Sequence, residues 1–174
     1  MGKINIAELK PYISLATELK DSRHFGGNMF RHMLNTCIVL IDYGYEDSIL
    51  LKAAAIHDLI EDIPNFNTQK IVNLTEGEAV LNLVMEVTKQ PGQCKADFLK
   101  QILFHGSKKA QILKVADRIV NIYDLGFVTQ EKFIYRYICE TEEFVLPMAL
   151  NTDINMYDEL LQLCISRSEF LRNH

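Results

Sequence analysis

Long hydrophobic runs are missing from this chain. The longest, such as Cys37 to Ile41, fall far short of the roughly 20 apolar residues a membrane-spanning helix needs. Met1 to Lys20 carries charges throughout and has no unbroken apolar segment, so no signal peptide is expected and a cytoplasmic location is. Cysteine is sparse: Cys37, Cys94, Cys139 and Cys164 lie far apart with no CxxC pair, so free thiols rather than disulfides are expected. An excess of basic charge is also lacking. The formal net charge is −5, which argues against a grip on nucleic acid, because that affinity comes from clustered Lys and Arg displacing counterions. No membrane partner is expected either. A small anionic substrate remains compatible, since a few local bases suffice. Strand-like alternation is scarce, and internal repeats, low-complexity tracts and long linkers are absent.

What is present is helical periodicity. Apolar residues recur at helical spacing at Ile13, Ala16 and Leu19, then at Met33, Cys37, Leu40 and Ile41, then through Leu50, Leu51, Ala54, Ala55 and Ile56. Gly26-Gly27, Asp42-Tyr43-Gly44, Ile63-Pro64-Asn65, Pro91-Gly92, Gly106-Ser107 and Leu125-Gly126 punctuate the pattern. This predicts about eight helices, near 5–20, 28–42, 47–62, 68–74, 77–90, 93–105, 108–124 and 129–172, the last interrupted near Pro147 and Asn151. With 174 residues and 48% hydrophobic content, the chain suits one core. The expected fold is all-α, a single-domain compact helical bundle over 1–174.

The stretch Ala53-Ala54-Ala55-Ile56-His57-Asp58-Leu59-Ile60-Glu61-Asp62 carries the chemistry. An interior helix has no packing reason to present four ionisable groups in six residues, because unpaired buried charge is costly. On a continuous helix His57 and Glu61 share one face and Asp58 and Asp62 the next. An ion between those faces is within reach of both His57 and Asp58. His32 and Asp117 interrupt two other apolar helices, Met33 to Leu40 and Ile112 to Ile122. Two imidazoles and two carboxylates form a mixed N,O set suited to one divalent ion, Mn2+ first, with Fe2+, Zn2+ or Mg2+ as alternatives.

A first His, an HD pair and a distant Asp resemble the HD phosphohydrolase superfamily, over roughly residues 10 to 150. HDLIED at 57–62 is similar to the HDxxED of RelA/SpoT-type alarmone hydrolases, and KVADRIVNI at 114–122 to their KLADRxHNM. Arg23 to His32 is similar in spacing to the family's R-K-x-G-x-P-Y-x-x-H. Glu86-Val87-Thr88-Lys89 resembles its EVTK-like segment, and Glu140-Thr141 with Pro147-Met148-Ala149 its ET…PLA. The resemblance implies a bundle of the HD-domain type that hydrolyses the 3′-diphosphate of guanosine 3′,5′-bis(diphosphate) (ppGpp), releasing pyrophosphate. The alternative is a nucleotidase or another nucleotide phosphohydrolase of the superfamily.

Carried over by position, the resemblance implies that His32, His57, Asp58 and Asp117 hold the metal, while Glu61 and Asp62 orient or deprotonate the attacking water. It implies that Asn121 and Arg23 contact the nucleotide, the planar guanidinium near the base. Lys89 is the first choice for phosphate charge, ahead of Lys95, Lys100, Lys108, Lys109 and Arg136. Departures cluster before the first ligand, where Asn28-Met29, Met33 and His24 replace the family's Pro-Tyr, Pro and second base, and at Glu18 and Asp21. The site is expected to be mononuclear, with no ligand role for His24, His105 or His174. The aromatic residues Phe133, Tyr135, Tyr137, Phe144 and Tyr157 are read as structural. The sequence leaves the oligomeric state open.

Overall fold

The computed structural model describes residues 5–172; His174 lies outside them. Eleven α-helices are found among the described residues: α1 Ile6–Ala16, α2 Met29–Asp42, α3 Ser48–Ile56, α4 Leu59–Asp62, α5 Gln69–Val72, α6 Gly77–Val87, α7 Lys95–His105, α8 Lys108–Asp124, α9 Glu131–Glu140, α10 Leu146–Thr152 and α11 Ile154–Arg172. The bundle is all-α apart from a two-stranded hairpin, β1 Arg23–His24 and β2 Gly27–Asn28. None of these helices is both long and apolar enough to cross a membrane.

Local chemistry starts the helices that matter most. Asn28, Asp47 and Ser107 cap α2, α3 and α8, each side chain accepting from a backbone N–H in the first turn. From its cap α3 runs into the core. Seven of its nine residues are buried, and it packs against α1, α2 and α6. Helix α8 is the second central element, with eleven buried residues, lying against α2, α10 and α11. These two apolar helices bring the sequence's interrupting polar residues into the interior.

The structure revises the expected helix boundaries in three places. The helix expected over 47–62 breaks at His57–Asp58, and α4 starts afresh with Asp58 as its N-cap. The offset is shallow, since the Asp62 amide still donates to the Asp58 carbonyl at 2.9 Å. The stretch around Gly26 is the hairpin: His24 pairs with Gly27, Phe25 and Gly26 form the turn, and Gly26 takes φ +60°. A side chain at Gly26 would be strained and would also meet the Phe127 ring, with a Cβ only 2.1 Å from it. The long C-terminal helix is interrupted earlier than expected, by a π-turn at Thr141–Val145, and again at Asp153, with Pro147 tolerated in the first turn of α10.

Candidate active site

Four polar side chains from α2, the α3–α4 break and α8 converge in the interior. His32 Nε2 lies 3.1 Å from Asp117 Oδ1 and 3.5 Å from Asp58 Oδ2, and His57 Nε2 lies 3.2 Å from Asp58 Oδ2 and 3.7 Å from Asp117 Oδ1. His32, His57 and Asp117 are buried, and Asp58 is partly exposed. The break after Ile56 lets Asp58 turn toward His57 rather than point away around a helix.

The orientation of His57 is informative. Its Nδ1 donates to the Ala54 carbonyl at 2.9 Å, so the neutral ring directs the lone pair of Nε2 at two carboxylates. That nitrogen is buried and makes no hydrogen bond. Acceptor facing acceptor is unfavourable unless a cation lies between them, either a proton or a metal ion. Burial pulls the His57 pKa down, but the Asp58 and Asp117 carboxylates outweigh it and hold it at about 9. Burial likewise works against the Asp117 charge, yet Lys114 and the two imidazoles hold its acid well below the usual range. Ligand atoms of His32, His57 and Asp117 all lie within 4.8 Å of one another, a group that could hold a metal ion. This donor set fits one.

A cleft of about 380 Å³ opens over the cluster. Glu61 and Asp62 stand exposed on its lip, and the Lys89 amide donates to Glu61 Oε2 at 3.3 Å, tying α4 to the end of α6. Partial burial, with Asp58 and Glu61 alongside, raises Asp62 to about 6. Lys89, Lys95, Lys114 and Arg23 put positive charge along the walls. Lys95 stacks on the Tyr137 ring at 4.7 Å, where burial and nearby Arg118 lower its pKa. Arg118, almost fully buried, packs 4.1 Å from the same ring and donates to Thr141 Oγ1 in the π-turn.

Of the phosphate candidates, the structure puts Lys89 and Lys95 on the cleft. Lys109 pairs with Asp47, Lys100 lies over Phe144, and Arg136 lies over Phe133. Lys114 was missed. It sits three residues before Asp117, the spacing of a helical ion pair, and reaches its Oδ2 at 2.7 Å.

Asn121 is 5% exposed and spans two neighbours, donating to Asp117 Oδ1 at 2.5 Å while its own Oδ1 faces His24 Nε2 at 2.9 Å. His24, given no role from sequence, is therefore part of the cleft. Its ring lies 4.2 Å from that of His32, and burial with His32 nearby lowers its pKa to about 4. Phe25, Phe133 and Tyr137 form one aromatic wall, so two residues read as purely structural also face the cleft. Tyr135 is exposed and Phe144 buried elsewhere, while His105 lies exposed at the end of α7.

No family model matches the chain. Among curated proteins, it is 34% identical over 91 residues to the guanosine-3′,5′-bis(diphosphate) 3′-pyrophosphohydrolase MESH1 of Xenopus tropicalis, covering 51% of this chain and 50% of that one. It is 33% identical over 97 residues to MESH1 of Homo sapiens, 54% and 53% covered. A probable guanosine-3′,5′-bis(diphosphate) 3′-pyrophosphohydrolase of Mycoplasma pneumoniae is 28% identical over 159 residues, 83% and 21% covered. The chain thus spans about half the length of the first curated relatives it matches. A solved structure of a metazoan ortholog of SpoT that hydrolyzes ppGpp and plays a role in starvation responses superposes with TM-score 0.79 at 22% identity, covering 95% of this chain and 98% of that one.

The fold is that of an HD-domain protein. In sequence the chain is similar to the MESH1 proteins over about half its length.

Proposed function

We propose that the chain is a metal-dependent phosphohydrolase that removes the 3′-diphosphate of guanosine 3′,5′-bis(diphosphate) and releases pyrophosphate. The observation that carries this reading is the His57 lone pair aimed at two carboxylates beneath a cleft lined with cations and aromatic rings. His32, His57, Asp58 and Asp117 would hold one divalent ion, Mn2+ first. Such an ion, when bound, lowers the pKa of water and polarises a phosphoryl oxygen.

The chain's own groups supply the rest. Glu61 and Asp62, on the lip beside Asp58, orient the attacking water, and Asp62, ionised above about pH 6, takes its proton. Lys89, Lys95 and Lys114 meet the phosphate charge. Arg23 with Phe25, Phe133 and Tyr137 offers flat surfaces to a base. Asn121, engaged at both ends of its amide, holds Asp117 and His24 in place as well as bordering the substrate space.

Another nucleotide phosphohydrolase activity is the second reading. It is favoured by His24, an uncharged ring at about pH 7 where the alarmone-hydrolase pattern has a base. Product analysis with Mn2+-loaded protein and a panel of ppGpp, nucleoside monophosphates and triphosphates separates the two. The first reading expects pyrophosphate from ppGpp. Turnover of another nucleotide with none from ppGpp overturns it.

A further inference from the structure

The two histidines of the cluster are supported differently. His57 has its ring fixed by the Ala54 carbonyl, whereas His32, 1% exposed, has a buried Nδ1 with no hydrogen-bond partner. A buried donor of this kind is costly to leave unpaired. The answer lies on α8. Asp117, Asn121 and Asp124 follow one another at i, i+4 and i+7, a single face turned toward α2. Asp117 reaches His32, and Asn121 reaches His24, whose ring stacks on His32. Asp124, one turn further, brings a carboxylate oxygen within 4.8 Å of ring nitrogens of both His24 and His32. Burial raises the Asp124 acid, outweighing the opposite pull of Arg31 and His32.

We propose that Asp124 is the positioning residue for His32. Its carboxylate accepts the His32 Nδ1 proton, after a small side-chain rotation or through one water, and so fixes Nε2 as the lone pair that faces Asp58 and Asp117. This rests on the reading of His32 as a metal ligand. A ligating histidine is held and made more basic in this way when its other nitrogen donates to a carboxylate, and loss of such a partner costs 10- to 100-fold in metal affinity. His24, His32 and Asp124 are also a set of donors for a second cation. With His24 Nε2–H given to Asn121, only its Nδ1 is left for such an ion, and a single carboxylate supplies the charge, which argues against that use.

The test is titration of the metal-free full chain with Mn2+, read by the signal of free Mn2+, for the parent, Asp124→Ala and Asp124→Asn, with melting curves for each. One Mn2+ per chain is expected, bound about 10- to 100-fold more weakly by Asp124→Ala. Asp124→Asn, whose amide oxygen still accepts, should recover most of the affinity. In proton NMR of the metal-free parent, the His32 Nδ1–H should resonate downfield and exchange slowly. Asp124→Ala should lose it while keeping the His57 signal. Equal Mn2+ affinity in a normally melting Asp124→Ala overturns the inference, as does a second Mn2+ that this variant alone loses. If Asp124→Ala does not fold, absence of the His32 signal from the parent overturns it. Parent protein that shows the signal and binds no Mn2+ sinks the metal reading and leaves the hydrogen bond standing.

Discussion

Two clusters of charge are sunk into this bundle, and they are built on opposite plans. In the middle of α3, Lys52 is fully buried, its Nζ 2.9 Å from Glu8 Oε2 and 2.6 Å from Glu76 Oε2, above the ring of Tyr12. Burial alone would lower the Lys52 pKa, but the two carboxylates raise it, and both keep a hydrated side. Every charge there has its partner. Just past the C-terminal end of α3, His57 and His32 aim nitrogens at Asp58 and Asp117, and the one cation in direct contact among the described residues, Lys114, satisfies only the outer oxygen of Asp117. The first cluster is complete within the chain and serves stability. The second reaches balance only by taking up a proton or a metal ion, the condition of a site that binds something.

The sharpest way to break the contrast is to remove a carboxylate from the incomplete cluster. Asp58→Ala should abolish metal binding and turnover together, as read by metal analysis beside pyrophosphate release. Retained activity would remove Asp58 from the site. Glu61→Ala, on the lip, should keep the metal and lose rate by about 10²- to 10⁴-fold, the range for loss of a general acid or base. A variant that lost metal as well would make Glu61 a ligand.

In the complete cluster, Lys52→Ala should lower stability by about 3 kcal/mol, since it leaves both carboxylates without their cation and opens a cavity. Lys52→Met, close in volume, should recover the part due to the cavity and leave the part due to the unpaired carboxylates. Urea unfolding midpoints measure this, and Mn2+ affinity should stay at the parent value. A matching fall in affinity would mean that the two clusters are coupled through α3.

The most gradual effect is in pH. His57 at about 9 when folded, against about 6.5 unfolded, contributes stability that is whole below pH 6.5 and lost as pH rises through about 9. Saturating Mn2+ requires the neutral ring, so with metal the stability should stay nearly level over the same window, and the stabilisation by Mn2+ relative to the metal-free chain should grow across it. Parallel slopes in melting curves from pH 6.5 to 9, with and without Mn2+, would show that proton and metal do not compete for that nitrogen.

The helical architecture and the meeting of His32, His57, Asp58 and Asp117 were legible because each polar residue breaks an otherwise apolar helix, and such breaks need a reason. The turn at His57–Asp58 was not, since both residues keep right-handed helical angles and no Gly or Pro marks the change. The hairpin was hidden for a different cause. Two residues per strand leave no alternation to read, and the contacts that hold it, Gly26 beneath Phe127 and Arg31 on the Gly26 carbonyl, are made only in the fold. His24 was given no ligand role and Asp124 no role at all, because their meaning comes from α8 crossing α2, a contact far apart in sequence. Lys114 could have been found, as the third residue before Asp117.

Lys52 also offers a chemical clock. Trypsin cuts after lysine only where the backbone and side chain can be drawn into its cleft, and this lysine lies without exposed surface in the middle of the most buried helix. Cleavage at Lys52 therefore requires α3 to leave the core. When opening and closing are fast relative to cutting, the rate of that one cleavage counts the molecules caught open. A ligand that closes the neighbouring cleft will be read, without any assay of turnover, as the slowing of a single peptide cut.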